Sequence, residues 1–108
     1  MKVHKWQKVL RHFENDVIAL KAFLDVKEKM DLAEWTKPTD IMKTFRTADL
    51  VVCSGKYFNR IVFDVGGNKF RMICGYRFSK FRTVLYIRFV GSHEEYDKVD
   101  VCEVDMFN

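Results

Sequence analysis

The spacing of apolar residues changes partway along this chain, and that change limits the folds open to it. In the first half, Trp6, Val9, Leu10 and Phe13 recur at i, i+3, i+4 and i+7, and Val17, Leu20, Phe23 and Leu24 continue the pattern beyond an Asn15-Asp16 cap signal. The spacing predicts a short helix followed by a longer one ending near Met30. Pro38 then sits where a first helical residue belongs, with Ile41, Met42 and Phe45 on one side, which predicts a further short helix over 38–45. An opening strand over residues 1–6 competes with the start of the first helix.

From Tyr57 onward the period is two, with β-branched and aromatic enrichment over 57–65, 69–78 and 82–90. Gly66-Gly67-Asn68 tolerates the left-handed backbone of a tight hairpin turn, and 79–81 makes the next connection, so the three strands form an antiparallel meander. Alternation puts Phe70, Met72, Cys74 and Tyr76 on one face and Lys69, Arg71, Ile73 and Arg77 on the other. The last strand splits Leu85, Ile87 and Phe89 from Val84, Tyr86 and Arg88. The expected fold is α+β: N-terminal helices packed on one face of a small antiparallel sheet, with Lys69, Arg71, Arg77, Tyr86 and Arg88 left together on the open side.

With 108 residues, 48% apolar and 31% charged, the composition fits one globular domain over 1–108 rather than a disordered tract. The longest apolar run, 83–90, is broken by Arg88 and is far short of the roughly 20 residues of a membrane span. The N-terminus mixes Lys2, Lys5, Lys8 and Arg11 with single apolar residues and lacks the apolar core of a secretory signal, so a cytoplasmic location is expected. Cys53, Cys74 and Cys102 are odd in number and widely spaced, fitting neither a disulfide framework nor a CxxC pair, and read as free thiols.

The net charge of +4 conceals a segregation: residues 56–92 carry eight basic residues and one acidic, and residues 93–108 carry one basic and six acidic. A basic stretch interleaved with Tyr57, Phe70, Tyr76 and Tyr86 is the footprint of a surface that meets phosphate, although a solvated sheet face has the same composition. Where the basic strands end come Ser92-His93-Glu94-Glu95-Tyr96-Asp97-Lys98. Metal-free RNA cleavage needs a group to take the 2′-OH proton, cations for the charge developing on phosphate, and a proton donor for the leaving 5′-oxygen. His93, Tyr96, Arg71 and the lysines suit these roles. An isolated HxxY reads more simply as a turn with a packed tyrosine ring. The segment HEEYD lacks the second histidine of HExxH, so no metal and no other cofactor is expected. His4 and His12 read as surface histidines of the helical half.

Val62-Phe63-Asp64-Val65-Gly66-Gly67-Asn68-Lys69-Phe70-Arg71, followed by Ser92-His93-Glu94-Glu95-Tyr96-Asp97-Lys98, resembles the HigB toxin family. The resemblance extends over nearly the whole chain, and two motifs at the right separation make it specific. It implies a RelE-like fold, an endoribonuclease acting on mRNA at the ribosome, and silencing by a HigA-like antitoxin, with any DNA binding left to that antitoxin. The family's Gly-Asn-x-x-Arg pattern falls on Gly67, Asn68 and Arg71, and its His-x-Glu-Tyr-Asp pattern on His93, Glu95, Tyr96 and Asp97. Ser92 replaces a frequent threonine and keeps the hydroxyl. The acidic, apolar segment 101–108 departs from the family's basic or polar ending, either repelling RNA or packing as an extra edge strand.

Arg71, His93 and Tyr96 are thus the expected catalytic residues, and Asn68, Lys69, Arg77, Arg88 and Lys98 the expected RNA contacts. Which of His93 and Tyr96 is base and which acid is left open by the sequence. A non-catalytic RNA-binding module using the same aromatic, basic sheet is the main alternative. A protein-interaction domain docking an acidic partner is another.

Overall fold

The computed structural model describes residues 1–55 and 59–108. At the N-terminus both competing expectations are met in succession. A short strand, β1 (Lys2–His4), leads through Lys5, held in the left-handed region at φ 75°, into α1 (Trp6–His12). The longer helix, α2 (Val17–Leu32), is capped by Asp16, whose carboxylate accepts from the Ala19 N–H at 3.0 Å.

α2 buries Ala19, Phe23, Val26 and Met30, whereas Val17 and Leu24 are 77% and 48% exposed. The apolar line read from the sequence shares Phe23 with this stripe but runs at an angle to it. Contact with the sheet selects the line that continues to Met30. The approach is close, since a Cβ at Gly66 would meet the Ala22 Cβ at 3.1 Å. The expected helix over 38–45 is a 3-10 turn (Pro38–Asp40) running into α3 (Ile41–Thr44), with Ile41 buried and Phe45 packed on the core.

The sheet adds β2 (Asp49–Val51), β3 (Arg60–Val65), β4 (Phe70–Phe78) and β5 (Thr83–Ser92), in the spatial order β1-β5-β4-β3-β2. The meander β3-β4-β5 is antiparallel as expected. β2 joins it antiparallel and β1 lies parallel to β5, so the full sheet is mixed. Residues 57 and 58 of the expected first strand lie outside the described residues. Gly66 and Gly67, at φ 64° and 70°, form the β3–β4 turn and set Asp64 opposite Arg71. The α+β class, with helices on one sheet face, follows the sequence reading.

One expectation for β5 fails at a bulge. Ile73 pairs with Phe89 and Cys74 with Ile87, so Arg88 is an extra residue with no partner on β4. Beyond it the faces exchange. Val90, not Phe89, joins Leu85, Ile87, Met72 and Phe63 in the core beneath the helices, and Phe89 joins Val62 and Ile73 on the other face.

That other face is therefore not an open cationic surface. Its apolar centre is covered by Tyr96, Val99, Val101 and Val104. The C-terminal segment crosses the sheet: Arg60 Nη1 donates to the Val104 carbonyl at 2.9 Å, Arg88 pairs with Asp105 at 3.1 Å, and the Met106 N–H donates to the Arg88 carbonyl at 2.7 Å. It lies across the strands as a strap and adds no edge strand. The strap also overturns the free-thiol reading, because it brings Cys102 to the segment after β2, where it forms a disulfide with Cys53, the two Cα atoms 5.7 Å apart. The pairing joins residues 49 apart in sequence through a tertiary return that spacing does not encode. Cys74 stays free and buried, its thiol pushed well above the ordinary range by burial. Among the described residues, no helix is long and apolar enough to cross a membrane.

Opening the Cys53–Cys102 bridge releases the strap and restores entropy to the unfolded chain, so Cys102→Ser is expected to cost about 2–4 kcal/mol. Urea unfolding with and without dithiothreitol measures this. An unchanged midpoint on reduction would contradict the strap's role in stability.

Candidate active site

Gly91 and Ser92 turn β5 into α4 (His93–Tyr96), a single turn fixed by a reciprocal cap. The Glu95 N–H donates to Ser92 Oγ at 3.1 Å and the Ser92 N–H to Glu95 Oε1 at 2.9 Å. The Ser92 N–H holds the Glu95 carboxyl below its ordinary range. A side chain at 91 has no room, since a Cβ there would lie 2.8 Å from Phe89 Cζ and 3.1 Å from Glu95 Oε1. The His93 N–H donates to the Lys69 carbonyl at 3.0 Å, tying α4 to the β3–β4 turn. His93 and Tyr96 thereby meet the start of β4, where Arg71 stands.

Arg71 is held on three sides. Its Nε lies 3.0 Å from Asp64 Oδ1 across the strand pair, Nη2 donates to Asn68 Oδ1 at 2.5 Å, and Nη1 donates to the Phe70 carbonyl at 3.0 Å. Its guanidinium sits over the Tyr96 ring at 5.7 Å from the centroid. The side chain is 10% exposed, yet one N–H on each Nη is left uncommitted by these bonds. The His93 and Tyr96 rings lie near parallel, 6.5 Å apart. His93 Nε2 is 3.9 Å from Asp97 Oδ2, and its buried Nδ1 has no partner among the described residues. Burial pushes the Tyr96 phenol up, and nearby Asp49 adds to this while the Arg71 charge partly offsets it. The phenol therefore keeps its proton at neutral pH.

The structure brings Arg71, His93, Tyr96 and Asn68 together, with exposed Lys69 in the adjoining turn and exposed Lys98 just beyond α4. Asn68 spends its carbonyl on Arg71 and so positions that residue. Arg77 and Arg88 are not brought to this group; they lie at the other end of the sheet, where Arg88 pairs with Asp105 and covers the Tyr86 ring. Sequence reasoning missed Asp64, although the Gly66-Gly67 turn implies the register that pairs it with Arg71. It also missed Arg60, whose burial no periodicity announces. Among the described residues, no three His, Cys, Asp or Glu side chains gather closely enough to hold a metal ion.

A histidine, a phenol and a tethered guanidinium meet at one end of the α+β sheet, and the sequence comparison says what kind of domain carries them. The chain belongs to the HigB toxin family, RelE-like toxic components of toxin–antitoxin systems, whose family model matches residues 19–99. The match includes α2 from Ala19 onward and every residue of the Arg71 group, but β1, α1, the first residues of α2 and the strap beyond Val99 lie outside it, a narrower span than the near-complete resemblance expected. No curated protein matches the chain. Membership implies an antitoxin as partner.

Ser92→Ala removes one half of the cap and is expected to cost about 1 kcal/mol. Because the folded Glu95 carboxyl is depressed below its ordinary value of 4.5, its contribution is complete above that pH and is lost as pH falls through the depressed value. Glu95→Gln should flatten this part of the acid limb of stability in urea titrations between neutrality and pH 3, and an unaltered limb would contradict the cap.

Proposed function

We propose that residues 1–108 act as one RelE-like toxin domain, a metal-independent endoribonuclease that cuts mRNA on the ribosome and so inhibits translation. The observation that supports this reading is the convergence of Arg71, His93 and Tyr96 at one end of the sheet. His93 takes the 2′-OH proton, the 2′-oxygen attacks the adjacent phosphorus, and the bond to the 5′-oxygen breaks. The departing oxygen takes a proton from Tyr96, which holds it at neutral pH, leaving a 2′,3′-cyclic phosphate and a 5′-hydroxyl. The uncommitted N–H groups of Arg71 meet the charge that develops on the phosphate oxygens. Lys69, Asn68 and Lys98 flank the strand. The ribosome as the place of cleavage and a HigA-like antitoxin as the silencing partner come from the family resemblance. A cytoplasmic site of action puts the Cys53–Cys102 pair where disulfides are rare, so oxidised and reduced protein are both to be assayed.

A second reading, a non-catalytic RNA-binding module, is favoured by the tethering of Arg71 on three sides, which suits a structural guanidinium. Cleavage separates the two. Induction of the chain without antitoxin in a bacterial host should arrest growth, and His93→Ala and Arg71→Lys should each relieve the arrest. On ribosome-bound mRNA, His93→Ala should lower the cleavage rate about 10²–10⁴-fold. Undiminished cleavage by His93→Ala would refute the assignment, and intact mRNA at confirmed folded expression would favour the binding module.

A further inference from the structure

Away from His93, Arg60, Arg77 and Arg88 line a cleft of about 270 Å³ together with Gly75, Tyr76 and Tyr86. Arg71 and Gly75 are four residues apart on β4, about 13 Å at ordinary strand rise, and the strap passes over the sheet centre between the two ends. The cleft is thus a place of its own, independent of the nuclease reading.

Its charges do not balance internally. Arg60 is 7% exposed; its Nη1 is spent on the Val104 carbonyl and its Nε has no acceptor among the described residues. Arg88 Nη1 meets Asp105, and its buried Nε likewise has no acceptor among the described residues. Arg77 is exposed, and no ion pair or hydrogen bond engages its side chain among the described residues. Among the described residues, the three guanidiniums therefore share one carboxylate at pairing distance. Desolvation first, and then the Arg88 charge, hold Arg60 below the ordinary guanidinium range, with the carboxylates of Asp105 and Asp100 opposing. A buried cation with unfilled donors is costly, and a multivalent anion relieves it. Gly75 adds no side chain to the cleft, and a Cβ there would make only ordinary contact, 3.9 Å from Arg88 Nε.

We propose that the Arg60–Arg77–Arg88 cleft is a phosphate-binding site. Phosphate fits better than a further carboxylate: its tetrahedral oxygens can accept from more than one guanidinium fork at once, whereas a carboxylate offers two oxygens in one plane. The cleft has space beyond the anion, so the phosphate is either a phosphodiester of an RNA strand or a free phosphate. Asp105 competes with it as an internal counter-charge.

The test uses the full chain labelled with ¹⁵N, following the side-chain Nε–H signals of Arg60 and Arg88. Inorganic phosphate and a 2′-O-methyl RNA octamer, which cannot be cleaved by 2′-OH attack, are titrated separately at constant ionic strength. The proposal expects both signals to move saturably with at least one probe, Arg77→Gln to weaken binding at least fivefold, and Asp105→Asn to tighten it. Tighter saturation by the octamer identifies the strand as the source, and tighter saturation by phosphate identifies the free anion. Shifts absent with both probes, or affinity unaltered in Arg77→Gln, would overturn the site. Arg77 is exposed, so its variant tests binding without disturbing the core. Because the octamer is uncleavable, the outcome stands apart from whether the protein is a nuclease.

Discussion

Between Ile87 and Phe89, β5 carries one residue more than β4 can pair, and much of the molecule's working surface follows from that mismatch. Without the bulge, Phe89 would point at the helices and Val90 away from them. With it, Phe89 joins Val62 and Ile73 in an apolar patch on the face that the helices leave bare. Such a patch favours cover, and residues 99–104 supply it. The bulge also leaves Arg88 unpaired on the sheet, with its carbonyl accepting from Met106 and its guanidinium meeting Asp105. Bulge, patch and strap form one arrangement.

The strap divides a face that composition presents as continuous. At one end, a cross-strand ion pair between Asp64 and Arg71 joins the β3–β4 hairpin, and the Arg71 guanidinium reaches over to Tyr96 on α4. The hairpin turn, the ion pair and the capped α4 thereby hold the three proposed catalytic side chains in a fixed relation, which is what acid–base catalysis needs from its scaffold. At the other end, Arg60, Arg77 and Arg88 surround a cleft with little internal counter-charge. The disulfide between Cys53 and Cys102 fastens the strap that separates the two.

The features legible in the sequence were those with a local physical signature. The period-two strands, the Gly66-Gly67 turn, the Asp16 cap and proline at the start of the 38–40 turn are each written within a few residues. The Ser92-to-Lys98 segment is recognisable because it carries a histidine with a tyrosine where the basic strands end. What stayed hidden depends on tertiary return. The three-residue strand β2 is too short to show a period, and the bulge at Arg88 looks like uninterrupted alternation. The pairing of Cys53 with Cys102 requires knowing that the acidic segment comes back across the sheet. The exposure of Val17 and Leu24 follows from a helix with two apolar lines, of which the sheet buries one.

The central claim is that His93, Tyr96 and Arg71 drive attack by the RNA's own 2′-hydroxyl, and the chemistry of the cut ends tests it most directly. Ribosome-bound mRNA treated with the purified protein should yield upstream fragments ending in 2′,3′-cyclic phosphate and downstream fragments starting with 5′-hydroxyl. A 2′-deoxy substitution at the cut position should block cleavage. Fragments with 3′-hydroxyl and 5′-phosphate ends, or undiminished cutting at the 2′-deoxy position, would contradict the account.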